Sequence, residues 1–380
     1  MPYWRLSSFY FFYFASLGAL MPFWGVYLQD QGFTALAIGQ LMAILQATKI
    51  VAPNVWGWLA DRTGRTLRII RLASLLTWCA FLGIFAVRGF WGTALVMIAF
   101  SFFWNASLPQ MEVVTINHLG ARMRRYAGIR LWGSVGFILA VMVLGVLVER
   151  QGSAVVPFMA LALQVGIWIT SLLVVERPVE NRPAADGISI LSLACRPEVA
   201  AFLLCGFFMQ ISHGVYYAFY SIHLTQAGYA SGTIGAFWAW GVVVEVLVFV
   251  IMHHLLERFG ARRVLLASLG LAVVRWLLIG TFVAEPVILI LAQALHAATF
   301  GAFHAGAIHL THHYFTGRLQ GRGQALFGSL VYGAGGAVGS LGSGLMWSIA
   351  GPQATFVASS LVAALGFTIA WLWVDRDNRF

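Results

Sequence analysis

Of the 380 residues in this chain, 60% are hydrophobic and 9% are charged, whereas a soluble domain runs near 25% charged. That composition excludes a water-soluble domain and leaves an integral membrane protein, with the lipid bilayer as its first partner. The net charge of +10 does not point to nucleic acid, because the basic residues form no stripe and fall in small clusters between apolar runs.

In chain order there are twelve apolar runs, roughly 6–28, 35–59, 69–87, 90–117, 127–148, 153–175, 199–224, 231–254, 264–284, 286–311, 325–349 and 352–374. Each is long enough to span a bilayer, which takes about 20 residues. Only helices satisfy their own backbone in lipid at this length, so all are expected to be helical. The first run follows a single Arg5, is too long for a signal-peptide core and lacks a cleavage site, so it counts as a membrane helix. The longest polar stretch, Glu176–Glu198, holds three prolines and mixed charge and separates six runs from six. The expected organisation is therefore a six-helix bundle over 1–175, a linker over 176–198 and a second six-helix bundle over 199–380.

Orientation follows from the basic residues. Loops on one side, with both termini, hold 18 arginines, and the other side has only Arg88 and Arg150. The rich side is cytoplasmic by the positive-inside rule. The halves also look like relatives. DRTGR (Asp61–Arg65) after the second run matches ERFGAR (Glu257–Arg262) after the eighth, and LWGS (Leu131–Ser134) matches LFGS (Leu326–Ser329). Their offsets are 196 and 195 residues, which suggests a parallel six-helix repeat with a substrate site near the midplane.

Five ionic side chains fall inside runs: Lys49, Glu112, Arg130, Glu245 and Arg275. A charge at mid-membrane costs about 2.5–3.5 kcal/mol on insertion scales, so such groups pair, face water or bind something. Glu112 and Arg130 are expected to face each other in the first half, and Glu245 and Arg275 in the second. Static salt bridges are the bland alternative, but buried pairs stabilise weakly compared with apolar packing. Together the five carry an excess of one positive charge, which favours an anionic substrate with its carboxylate on Arg130 or Lys49. Trp132 and Phe137 share the fifth run with Arg130 and are candidate aromatic lining. His296 and His304 lie eight residues apart, two turns on one face, and an imidazole titrates near physiological pH. The seven glycines of the eleventh run, from Gly328 to Gly344, read as close helix packing.

The segment Gly57-Trp58-Leu59-Ala60-Asp61-Arg62-Thr63-Gly64-Arg65 resembles the signature loop G-x-L-A-D-R-x-G-R of the major facilitator superfamily. Asp61 is expected just past the end of the second helix, with Gly64 at a tight turn. The resemblance implies a cytoplasmic gating latch built on Gly57, Asp61, Arg62, Gly64 and Arg65. YAGIRLWGSVGF (Tyr126–Phe137), GVVVEV (Gly241–Val246), VVRW (Val273–Trp276) and QALHAATFGAFHAG (Gln293–Gly306) look like the phenylpropionate permease family. That likeness implies proton-driven uptake of 3-phenylpropionate or a similar aromatic acid across a bacterial inner membrane. A more distant likeness is to lactose permease, through the spacing of Glu112 and Arg130, and it implies a coupling cluster of Glu245, Arg275 and His296. Here Thr299 stands where that permease has a protonatable carboxylate, so either the proton goes to Glu245, Glu112 or His296, or the coupling differs.

The expected protein is an all-α membrane protein of twelve transmembrane helices in two six-helix halves, the major facilitator fold. It is read as a proton-coupled symporter of a small organic anion that functions as a monomer, without cofactor. The alternative is a proton-coupled symporter of a neutral sugar or nucleoside. Cys79, Cys195 and Cys205 are odd in number and lack metal spacing, so neither a disulfide framework nor a metal site is expected. No nucleophile–base pair or nucleotide loop is present to support an enzyme or an ATP-driven pump.

Overall fold

The computed structural model describes residues 2–175 and 190–375. Most of the expected linker 176–198, and Arg376 and Arg379 of the C-terminal tail, lie outside the described residues. Among the described residues all regular structure is helical. The helices are α1 (Tyr3–Asp30), α2 (Ala35–Thr63), α3 (Thr66–Phe81), α4 (Gly89–Leu119), α5 (Tyr126–Gln151), α6 (Val155–Leu173) and α7 (Pro197–Gln226). A continuous segment, Ser231–Thr281, breaks at Gly260 into α8 (231–259) and α9 (261–281). Then come α10 (Pro286–Tyr314), and a second long segment, Gln320–Trp373, which breaks at Gly351 into α11 (320–350) and α12 (352–373). The ten apolar segments of spanning length thus comprise twelve helices among the described residues.

Local chemistry sets the ends. The Thr34 hydroxyl accepts from the Ala37 amide at 3.3 Å and caps the start of α2. At the other end Gly64 takes φ +64°, a left-handed conformation that glycine adopts without strain. Gly260, 196 residues on, does the same at φ +76°. Asp61 is a correction to the sequence expectation. It lies inside α2 rather than past its end, because the helix runs on to Thr63 until the glycine can reverse the backbone. Asp61, Arg62 and Arg65 are exposed there. Arg62 lies over the Trp58 ring at 5.3 Å, and a side chain at Gly57 would meet Gln110 of α4 at 3.4 Å.

The described residues form two compact units, one holding α1–α6 with Gly228–Ala239, the other holding α7 and the chain from Trp240 onward. In the first, α1 packs on α5 and α6, and α4 packs on α2 and α3. The buried face of α1 carries Leu6, Phe9, Tyr10 and Tyr13 at helical spacing. A Cβ at Gly18 would lie 2.8 Å from the Phe137 carbonyl oxygen, and one at Gly136 would run into that of Phe11, so these glycines let the two backbones touch. The first turns of α8 join this unit because Gly235 sits against the Val141 carbonyl at 2.6 Å by the same measure.

In the second unit α7 packs along α11 and α12. Gly214 and Gly339 meet backbone to backbone, and Gly335 sits against the Phe207 carbonyl. Gly328 and Gly342 face open space, so the expectation that all the glycines of this helix serve close packing holds for some and not for others. Both α10 (Ala297–Ala302) and α11 (Gly328–Gly335) contain a wide π turn, a feature that often marks functional sites.

Each unit closes its last helix in the same way. Arg71 of α3 donates to the carbonyl of Ser171 at 3.4 Å and that of Val174 at 2.8 Å, at the end of α6. Arg262 of α9 donates to Val374 at 2.7 Å and Trp371 at 2.9 Å, at the end of α12. A cation there satisfies carbonyls that the helix leaves unpaired and opposes its negative end.

Candidate functional site

Arg130 enters α5 one turn before Gly133. A Cβ at Gly133 would stand 2.7 Å from Phe14 and 2.8 Å from Arg130 Nη1, so the glycine opens the space in which guanidinium and ring meet. The guanidinium carbon lies 3.7 Å from the Phe14 ring centre and 5.9 Å from that of Tyr10, both on α1. This is cation–π geometry, which leaves the N–H edge of the guanidinium for another acceptor. Around it, the Tyr10 hydroxyl donates to Thr115 Oγ1 at 3.1 Å. Tyr13 stacks on Trp104 with ring centres 5.2 Å apart.

Glu112 of α4 accepts a hydrogen bond from the Tyr126 hydroxyl and feels the Arg130 charge. Among the described residues no ion contact within 4 Å joins Glu112 to Arg130, so the expected acid–arginine pair is a neighbourhood and not a closed bridge. Lys49 donates to Gln46 Oε1 at 2.6 Å, one turn back on its own helix, and no contact among the described residues brings it to Arg130. Trp132 points elsewhere: its Nε1 donates to the Tyr3 hydroxyl at 3.3 Å and its ring meets Trp4. Two residues beyond Arg130, it is turned by about 200° around the helix. Phe137 is buried and faces the Trp238 ring at 6.5 Å. Phe14, and not Phe137, stacks on the guanidinium.

In the second unit Arg275 is wholly buried. Its Nη1 donates to Thr299 Oγ1 and its Nη2 to Gln293 Oε1, both at 3.0 Å. Its guanidinium carbon lies 4.3 Å from the Tyr216 ring centre, and the Tyr216 hydroxyl accepts from Gln293 Nε2 at 3.2 Å. The expectation that Arg275 faces Glu245 is therefore corrected. Neutral acceptors and a ring hold the arginine, while Glu245 Oε2 lies 3.4 Å from His296 Nε2. Thr299, which stands in the sequence where a carboxylate was expected, is an arginine ligand.

His296, Phe300 and His304 form one column, with centre separations of 5.4 and 6.5 Å and nearly parallel rings. The π turn between the histidines carries Gly301, where a Cβ would stand 2.9 Å from Glu245 Cγ. His304 Nδ1 lies 2.7 Å from the Tyr332 hydroxyl, in the π turn of α11. His213 of α7 is buried edge-on against Trp276 at 4.8 Å. Among the described residues no group of three or more metal-ligating side chains converges.

Sequence reasoning missed Tyr10, Tyr13, Phe14 and Tyr126 around Arg130, and Tyr216, Gln293 and His213 around Arg275. The signal was present as two aromatic stretches, FYFFYF (Phe9–Phe14) and HGVYYAFY (His213–Tyr220), each in the first helix of its half. Aromatic stretches in membrane helices are usually packing, and nothing local sets these two apart.

With the geometry in hand, the comparisons agree. The sequence model of the MFS_1 like family matches residues 3–358. The chain is 32% identical over 375 residues, 93% of each chain, to the probable 3-phenylpropionic acid transporter of Escherichia coli (strain K12). It is 26% identical to the maltose permease of Geobacillus stearothermophilus, over 97% of this chain and 94% of that one. Among solved structures, a variant of the nucleoside transporter NupG matches at a TM-score of 0.86 with 16% identity over 98% of both chains, a likeness of fold alone. The protein belongs to the MFS_1 like family and is a multi-pass secondary transporter of the major facilitator kind.

Proposed function

We propose that this protein is a proton-coupled importer of a small aromatic carboxylate, chemically close to 3-phenylpropionate, in a bacterial inner membrane with both termini cytoplasmic. The observation that carries the reading is Arg130, laid flat on Phe14 at 3.7 Å with no carboxylate within 4 Å among the described residues. A guanidinium fixed by its face offers its edge, and that edge matches a carboxylate in a two-bond fork. Tyr10, Tyr13 and Trp104 supply aromatic surface beside it for a ring. The Escherichia coli relative, a probable 3-phenylpropionic acid transporter, supports the same substrate class. Glu245 with His296 is the proton-handling pair of this reading, since carboxylate and imidazole sit 3.4 Å apart with Gly301 leaving them room. Asp61 and the arginines beside it serve as the gating latch.

A second reading keeps the coupling and changes the cargo to a neutral sugar or nucleoside. It draws on the Glu112–Tyr126 hydrogen bond, a set suited to hydroxyls, and on the maltose permease relative. Uptake into proteoliposomes from a panel of aromatic acids, with and without an inward proton gradient, decides between them. Gradient-driven accumulation of phenylpropionate, competed by other aryl acids and untouched by maltose or uridine, supports the first reading. Accumulation of maltose or uridine with no uptake of any aryl acid overturns it.

A further inference from the structure

A groove of about 400 Å³ lies within the second unit, between α8, α9 and the π turn of α10. Its walls are Val248, Leu255 and Phe259 on α8, Val264, Ala267, Ser268 and Leu271 on α9, and Ala298 and Ala302 on α10. Residues 248, 255 and 259 follow helical spacing, as do 264, 267, 268 and 271, so each helix presents one continuous face. From Phe259 to Val248 the groove runs roughly 16 Å along the helix axis. It is therefore long and apolar, the shape of a hydrocarbon chain.

One end is different. Arg263 lines the groove where it begins, next to the Gly260 turn on the arginine-rich face. Arg263 is exposed, and so are Phe259 and Ala267, so the groove opens sideways. The neighbouring arginines divide their work. Arg262 is committed to the carbonyls of Trp371 and Val374, whereas Arg258 lies over the Phe259 ring at 5.4 Å beside the same mouth. One cation in the lining, a second over the ring of Phe259, and hydrocarbon along the floor match a ligand with an anionic head and an apolar tail. Basic pockets between membrane helices on this face are known to suit anionic headgroups.

We propose that this groove is a binding site for an anionic phospholipid, with one acyl chain lying along α8 and α9 and the headgroup phosphate on Arg263. The guanidinium grips the phosphate, as arginine does through paired N–H bonds. A zwitterionic lipid offers the same phosphate, but its choline cation meets Arg258 and Arg263 as a like charge. The tail end reaches Ala298 and Ala302, on the turn that also carries Thr299 against Arg275 and Gly301 against Glu245.

The test uses the full-length protein in detergent, mixed with equal amounts of phosphatidylglycerol and phosphatidylcholine of identical chains, with bound lipid read by native mass spectrometry. The parent protein is expected to retain phosphatidylglycerol in several-fold excess. R263Q is expected to bring the ratio to about one. A267W, placed at an exposed lining position, fills the groove and is expected to lower the retention of both lipids. Equal retention of the two lipids by the parent overturns the proposal. So does an R263Q protein that keeps the parental preference, or an A267W protein that retains both lipids at the parental level.

Discussion

The carboxylate of Glu245 stands 3.4 Å from Nε2 of His296, while the buried cation of the same unit, Arg275, is held by Thr299, Gln293 and the ring of Tyr216. Arg275 thus has partners other than this acid, and the acid's contact within this cluster is to an imidazole. Because Arg275 has its own neutral partners, protonation of the acid does not strand a bare guanidinium.

Replacing the acid should separate coupling from binding. E245Q is expected to abolish uphill, proton-driven accumulation in proteoliposomes while leaving exchange of internal for external substrate within about threefold of the parent, since each step that remains needs no proton change. Uphill uptake by E245Q at the parental level would move the proton to another group.

Arg130 should not tolerate a change to lysine. R130K keeps the charge but loses the planar fork and the stack on Phe14, so uptake is expected to fall at least tenfold. F14A removes only the stacking face. A cation–π contact that is not fully desolvated is worth about 0.5–1 kcal/mol, which corresponds to a two- to fivefold rise in KM with kcat little changed. Radiolabelled initial-rate uptake measures both.

Loss of the Arg262 fork should loosen the end of α12. Hydrogen bonds from a charged group contribute about 1.5–3 kcal/mol, and partial exposure of this site places the effect at the lower end. R262A is expected to lower the thermal unfolding midpoint in detergent by several degrees, and R71A to do the same through α6. R262K, with one donor centre in place of a fork, should fall between R262A and the parent.

Glycines of α11 make a paired control. A methyl group at Gly339 would enter the backbone of Ile211, and Gly342, one turn away, faces open space. G339A is therefore expected to yield little folded protein by fluorescence size-exclusion, because backbone cannot give way as a side chain can. G342A should match the parent in yield and uptake.

The glycine contrast shows where sequence reading stops. Gly339 and Gly342 belong to one glycine-rich run and look alike in it, and only the position of α7 distinguishes them. Arg130 is a similar case. Its presence inside an apolar helix marks it as a candidate, but Trp132 and Phe137 were its expected aromatic company and Phe14 is its actual one, with Glu112 nearby and not in a closed bridge. In the second half Thr299 reads in the sequence as a gap in a coupling cluster and proves to be a ligand of Arg275.

What the sequence by itself determined is the membrane class, the all-helical architecture and the turns at Gly64 and Gly260. Each of these is local: hydrocarbon demands a self-satisfied helix, and a left-handed turn demands glycine. What only the tertiary structure decided is the partner of each intramembrane arginine and of Glu245. A helix that is apolar on all sides carries no marked face, so its rotation, and with it the ring or acceptor that an arginine meets, is set by packing against its neighbours.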